Sequence, residues 1–168
     1  MVRSWRWVEH FLEGVISLCL VAMAGLTVID VAGRYFFNAP LKGGYEISEL
    51  LMGLTVFASL PLATRAESHL TISLLTDRLR GGFRRWHRIV ILIVTCAALA
   101  FIGWRMGVQA GIFYNSKIAS GSLQLTLWPF AAIMAVLAWL SAAVALVLTL
   151  RALAGYDADA RGAHGSLE

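Results

Sequence analysis

The chain has 168 residues, of which 59% are hydrophobic and 14% charged, against roughly 45 to 50% apolar and about 25% charged in soluble domains. A soluble fold of this size lacks the polar surface to cover so much apolar material, whereas lipid covers it directly, so composition excludes a water-soluble domain and points to a bilayer. The net charge of +4 does not mark a nucleic-acid face, because most Lys and Arg fall in short segments between apolar runs, where cations report membrane orientation.

A membrane-crossing helix needs about 20 mostly apolar residues. Windows at about 11–31, 45–64, 89–114 and 125–150 meet that need. They predict an all-α integral membrane protein, one four-helix domain over residues 1–155, with a small, polar, disordered cytoplasmic tail over 156–168. At the start, Arg3 and Arg6 precede the first apolar run and Val31-Ala32-Gly33 supplies small residues, as in a signal peptide. The run is long for that purpose, Glu9 and Glu13 break the basic head, and Asp30 and Arg34 crowd the cleavage site, so an uncleaved first helix is expected.

The first link, Asn38-Ala-Pro-Leu-Lys-Gly-Gly, is dense in turn residues, and Ser120, Gly121 and Ser122 punctuate the third link in the same way. The second link is basic. In it Leu70, Leu74, Leu75 and Leu79 recur at helical spacing with Arg78 and Arg80 beside them. That segment reads either as an amphipathic helix lying on the inner leaflet or as a tilted continuation of the second span. Gly81-Gly82 then breaks the helix before Trp86 and Arg88 anchor the third span.

Orientation follows from the cations, since short loops rich in Lys and Arg stay cytoplasmic. Arg3 and Arg6 at the head, Arg65, Arg78, Arg80, Arg84, Arg85 and Arg88 in the second link, and Arg151 and Arg161 in the tail lie on one side. The opposite links hold Arg34, Lys42 and Lys117. The expected topology therefore has both termini in the cytoplasm.

Charged groups in or beside the membrane call for a partner or a function. Asp30 and Arg34 lie four apart on one helix and suit an i,i+4 pair. Glu46 and Glu49 open the second span, where acids complement the positive helix end. Arg105 is expected near the outer end of the third span, and Arg34 or Arg105 could also pair with an acid across helices or on a partner subunit. None of these suggests catalysis. Cys19 and Cys96 lack C-x-x-C spacing and read as small hydrophobes. His10, His69, His87 and His164 lie at window edges or outside, which argues against a haem bundle, and no paired periplasmic thiols suggest a thiol oxidase. No cofactor and no metal site is expected. Gly103, Gly107 and Gly111 form a small-residue ladder that marks close helix contact, within the bundle or with another subunit.

An ion-coupled carrier needs interrupted helices and polar groups near the midplane. Pro61 and Pro129 instead lie late in the second span and at the start of the fourth, and the midplane stretches are apolar. An autonomous homodimeric transporter using Glu13 or Glu49 for proton coupling remains the alternative, and it would need a carboxylate near the midplane.

Several local sequences resemble one family. Gly33-Arg-Tyr-Phe-Phe-Asn-Ala-Pro-Leu is similar to an R-Y-x-F-N-x-P element, and Tyr45-Glu-Ile-Ser-Glu-Leu follows it. Arg65-Ala-Glu-Ser-His-Leu-Thr-Ile is similar to R-x-x-x-H-I-x-V, with Leu70 in place of the commoner isoleucine. Leu123-Gln-Leu-Thr-Leu-Trp-Pro resembles L-x-L-P-x-W-P, with Thr126 in place of a frequent proline. Together they resemble the small DctQ-type membrane subunit of tripartite ATP-independent periplasmic (TRAP) transporters of the bacterial inner membrane. The resemblance implies a non-enzymatic, fixed scaffold that embraces a large membrane subunit and contributes to the docking surface for a binding protein, while the large subunit moves the solute by an elevator-like, sodium-driven motion. A periplasmic solute-binding protein would deliver the solute, typically an organic acid. Carried over, Arg34, Tyr35, Asn38 and Pro40 would shape the outer loop, Glu46 and Glu49 the start of span two, and His69 the cytoplasmic return.

Overall fold

A computed structural model of the full chain describes residues 2–39, 41–66 and 82–154. They form four helices: α1 (Val2–Phe37), α2 (Gly44–Arg65), α3 (Gly82–Ser116) and α4 (Trp128–Leu153). Long helices are the expected answer to an apolar environment, because each backbone N–H and C=O finds its partner within the segment. The stretches long and apolar enough to cross a membrane are Arg6–Phe37, Gly44–Arg65, Ile89–Ser116 and Trp128–Leu153. The interfacial helix considered from sequence falls between α2 and α3, outside the described residues.

Two of the boundaries that differ from those expected bear on the loops. The first span runs on to Phe37, so Arg34 and Tyr35 belong to the last turns of α1 and not to a loop. The fourth begins at Trp128, because residues before it are drawn into a tight loop in which Ala119 bridges Thr126.

The two connections at one end of the bundle close by local geometry. Asn38 takes a left-handed φ of 49°, a conformation that asparagine tolerates better than most residues. The Ala39 N–H then returns to the Gly33 carbonyl at 3.1 Å. A Cβ on Gly33 would stand 2.8 Å from that Ala39 oxygen, so the reversal needs glycine at this position. α3 ends in a Schellman turn: Lys117 is left-handed at φ 48°, Ile118 N–H bonds the Phe113 carbonyl at 3.2 Å, and Lys117 N–H bonds Tyr114 at 3.4 Å.

Packing is dominated by the antiparallel pair α3 and α4, with α2 lying against α4 and α1 against α2. On α4 the buried positions are Ala131, Ala135, Ala138, Ser141, Ala142, Ala145, Thr149 and Ala152. Apart from Ser141 they step by four and three, the spacing of a coiled-coil seam. On α3, Ile89, Leu92 and Leu99 are buried, with Cys96 packed among them. Ile89 and Leu92 cluster with Ala152, and Leu99 with Ala142 and Ala145. Small residues let the two backbones approach, which is how helices associate where lipid removes the hydrophobic drive between them. The hydroxyls of Ser141 and Thr149 each donate to a carbonyl four residues back, at 2.8 Å, so neither is stranded in the seam.

Gly103 belongs to this seam: a Cβ there would lie 3.1 Å from Trp139 Cδ1. Gly107 and Gly111 meet nothing within 4 Å. The expected glycine ladder thus touches this bundle at one rung. α1 buries least, with 6% of its apolar window covered, and it presents Phe11, Leu18, Val21 and Val28 outward.

Candidate functional site

Among the described residues the ion pairs and the loop-holding carboxylates gather at the ends of the bundle. At the loop end, Asp30 accepts from Arg34 Nη2 at 2.6 Å through one oxygen and from the Leu41 N–H at 2.9 Å through the other. The pair read from i,i+4 spacing is present. Its further task, holding the chain after Asn38 down onto α1, needs the fold of the turn to be seen.

Glu46 sits in the first turn of α2. Its two oxygens accept the Ser122 N–H at 2.7 Å and the Leu123 N–H at 3.1 Å. One carboxylate therefore ties the start of α2 to the loop between α3 and α4. Gly43, left-handed at φ 77°, lies directly under Leu123: a Cβ would stand 2.3 Å from Leu123 Cγ. The two loops form a single joined platform. Beside it Tyr114 and Trp128 meet edge to face at 5.6 Å, an aromatic pair suited to a headgroup belt.

A Glu46→Ala variant is expected to release that joint, because two backbone donors lose a charged acceptor. Amide hydrogen exchange should rise at Ser122 and Leu123 while the α3–α4 seam stays protected. Unchanged exchange at both amides would show that the carboxylate does not hold the loop.

The other expected residues separate. Glu49 is exposed and does not join Glu46 on the loop. Tyr35 is 85% exposed, and Asn38 is exposed as well. Pro40 and His69 lie outside the described residues. Arg105, expected near the outer end of its span, lies instead close to the middle of Ile89–Ser116, exposed and with no ion pair or hydrogen bond to any described residue.

Like the bonds from Glu46 to the far loop, a contact at the other end was not legible in the sequence. Glu9 of α1 pairs with Arg65 of α2 at the end away from the loops. Glu9 was legible only as an acid in a basic head. The signal lay in its height, since the last turn of α2 returns an arginine to the same end of an antiparallel neighbour.

Among the described residues no group of three or more His, Cys, Asp or Glu side chains is placed to hold a metal. A shallow groove lined by Thr27, Val28, Val31, Ala32, Tyr35 and Phe36 runs along α1 alone; it is a lipid-type surface, not a chamber between helices.

Residues 23–155 match the family described as tripartite ATP-independent periplasmic transporters, DctQ component. The chain belongs to the DctQ family. Among relatives, it is 31% identical over 88 residues to the ectoine TRAP transporter small permease protein TeaB of Halomonas elongata. That match covers 52% of this chain and, at 46%, under half of the relative's length. A Haemophilus influenzae protein assigned as a TRAP transporter small permease protein is 21% identical over 134 residues, covering 80% of this chain and 81% of the relative. Membership makes this DctQ protein a transporter component and not an enzyme, and, with its four spans, a multi-pass protein of the bacterial inner membrane.

Proposed function

We propose that this DctQ chain is the fixed scaffold of a TRAP-type uptake system. Its partners are a large membrane subunit, which carries an organic acid inward with a sodium gradient, and a periplasmic binding protein that delivers it. Both termini face the cytoplasm in this reading, which rests on the placement of cations between spans. The joined loops built on Asp30, Gly43 and Glu46 then face the periplasm. Residues 1–155 act as one membrane unit, followed by a cytoplasmic tail over 156–168.

The observation that carries the proposal is the division of polar and apolar groups. Ala138, Ser141 and Ala145 are fully buried in a closed small-residue seam, which gives solute no internal route. Large apolar side chains point outward on every helix, as a scaffold surrounded by lipid and a membrane partner requires. The carboxylates Asp30 and Glu46 are engaged in holding loops. That TeaB is named for ectoine supports a subunit type whose form does not depend on one solute.

The tagged chain, purified in mild detergent from cells that express its neighbours, is expected to bring down a larger polytopic protein. Proteoliposomes holding this chain alone should move no solute, while the assembled system with binding protein should show sodium-dependent uptake of a carboxylate. Uptake by the chain alone would reject the scaffold role.

A further inference from the structure

Arg105 stands out against the rest of α3. The span Ile89–Ser116 has 28 residues, and Arg105 lies between two and three residues from its midpoint, about 4 Å at 1.5 Å per residue. With a hydrocarbon core of about 30 Å centred on this span, its nearer edge is about 11 Å along the helix from Arg105, beyond the reach of an extended arginine side chain, so snorkelling does not fully solvate the charge. The side chain is exposed and unpaired among the described residues. A cation held at this depth calls for a counter-charge.

The surface around it is organised. At 100° per residue, Arg105 lies opposite the face of α3 that carries Leu92, Cys96, Leu99 and Gly103 against α4. On that opposite side Val94, Ala98, Phe101, Arg105, Val108 and Ile112 follow one another at steps of four, three, four, three and four, and all six are exposed. α3 thus carries two seams, one closed by α4 and one open, with a single charge near the centre of the open one.

We propose that this open stripe is the docking seam for a transmembrane helix of the large membrane subunit that carries an aspartate or glutamate at the depth of Arg105. The inference rests on the scaffold reading and adds to it the face, the depth and the chemistry of the contact. Charge complementarity selects this occupant. Of the carboxylates a second copy could offer among the described residues, Asp30 and Glu46 are already bonded at the loops, Glu9 is paired with Arg65 and Glu13 sits beside His10 at the opposite end, and Glu49 lies about 8 Å from the start of its span against about 16 Å for Arg105 from the same end of the bundle. An ion pair at this depth sets the vertical register of the two proteins, as a single polar position does within a coiled-coil seam.

The test uses the complete complex, captured through a tag on the small subunit. The wild-type chain brings down the large protein; failure of that capture removes the scaffold reading and this contact together. Arg105→Glu is expected to reduce capture roughly tenfold or more, because it sets two acids against each other in a dry interface. Arg105→Lys keeps the charge and should retain most of it. Reversing one carboxylate within the large protein's spans to lysine should restore capture by Arg105→Glu, and a photo-crosslinker at Phe101 should join the two proteins.

Wild-type capture that Arg105→Glu matches, or a crosslinker that reacts with lipid or with a second copy, overturns the contact and leaves the scaffold reading standing. Loss that no carboxylate reversal rescues overturns the acid as its partner. The lone Arg105→Glu chain should melt as the wild type does, and a lowered midpoint would overturn the placement of Arg105 on an open face.

Discussion

Replacing Ala138 with leucine is expected to loosen the packing of α4 against its neighbours α2 and α3. Ala138 is fully buried, within the row of small residues that α4 turns toward the rest of the bundle. Added carbons there find no open space, because the site is closed by the helices packed on α4. Overpacking of a closed interior costs about 1 to 3 kcal/mol, and in a membrane the helices relieve it by separating, since lipid solvates their apolar faces as well as each other does. A lower melting temperature in detergent and loss of protection in α4 and the helices packed on it are the expected results. Ala143 provides the comparison: it is on the same helix and exposed, so Ala143→Leu should fall within about 0.5 kcal/mol of wild type. Equal melting of the two variants would show that the alanine row is not a packed seam.

The second large effect is expected at Gly43. Its φ of 77° lies in the left-handed region, which costs an L-residue about 1 to 2 kcal/mol and is a severe outlier for a β-branched side chain. Gly43→Val adds a collision, because the Cβ would stand 2.3 Å from Leu123 Cγ. Leu123 has little freedom to yield, as its N–H is held by Glu46. The variant should therefore lose both the turn before α2 and the joint between the loops. The measurement is the melting temperature together with protease access to residues 117–127. Gly44→Ala is the control, with no positive φ and a nearest contact of 3.2 Å to the Leu41 side chain. If the two substitutions behave alike, the left-handed turn is not what joins the loops.

Both effects concern features that sequence reading reaches unequally. The four spans were visible because lipid demands long apolar runs, and runs of that kind are local. The pairing of Asp30 with Arg34 was visible for a similar reason: helix geometry brings i and i+4 together whatever surrounds them. The alanine seam of α4 was hidden although every residue of it is in plain order. In a soluble helix the buried stripe contrasts with a polar face, whereas here the faces toward lipid and toward protein are equally apolar, so hydropathy carries no period to find.

What the amino-acid order determined by itself is therefore the medium, the number of crossings, their approximate limits and the turns that separate them. These depend on interactions reaching no further than a few residues or on the solvent alone. Only the tertiary structure decided that Glu46 would hold Ser122 and Leu123, that Glu9 would meet Arg65, and that Arg105 would be left on an open face. Those outcomes are set by how the helices stack, and a charged side chain's partner 50 or more residues away is chosen by which helix lies beside it and at what height.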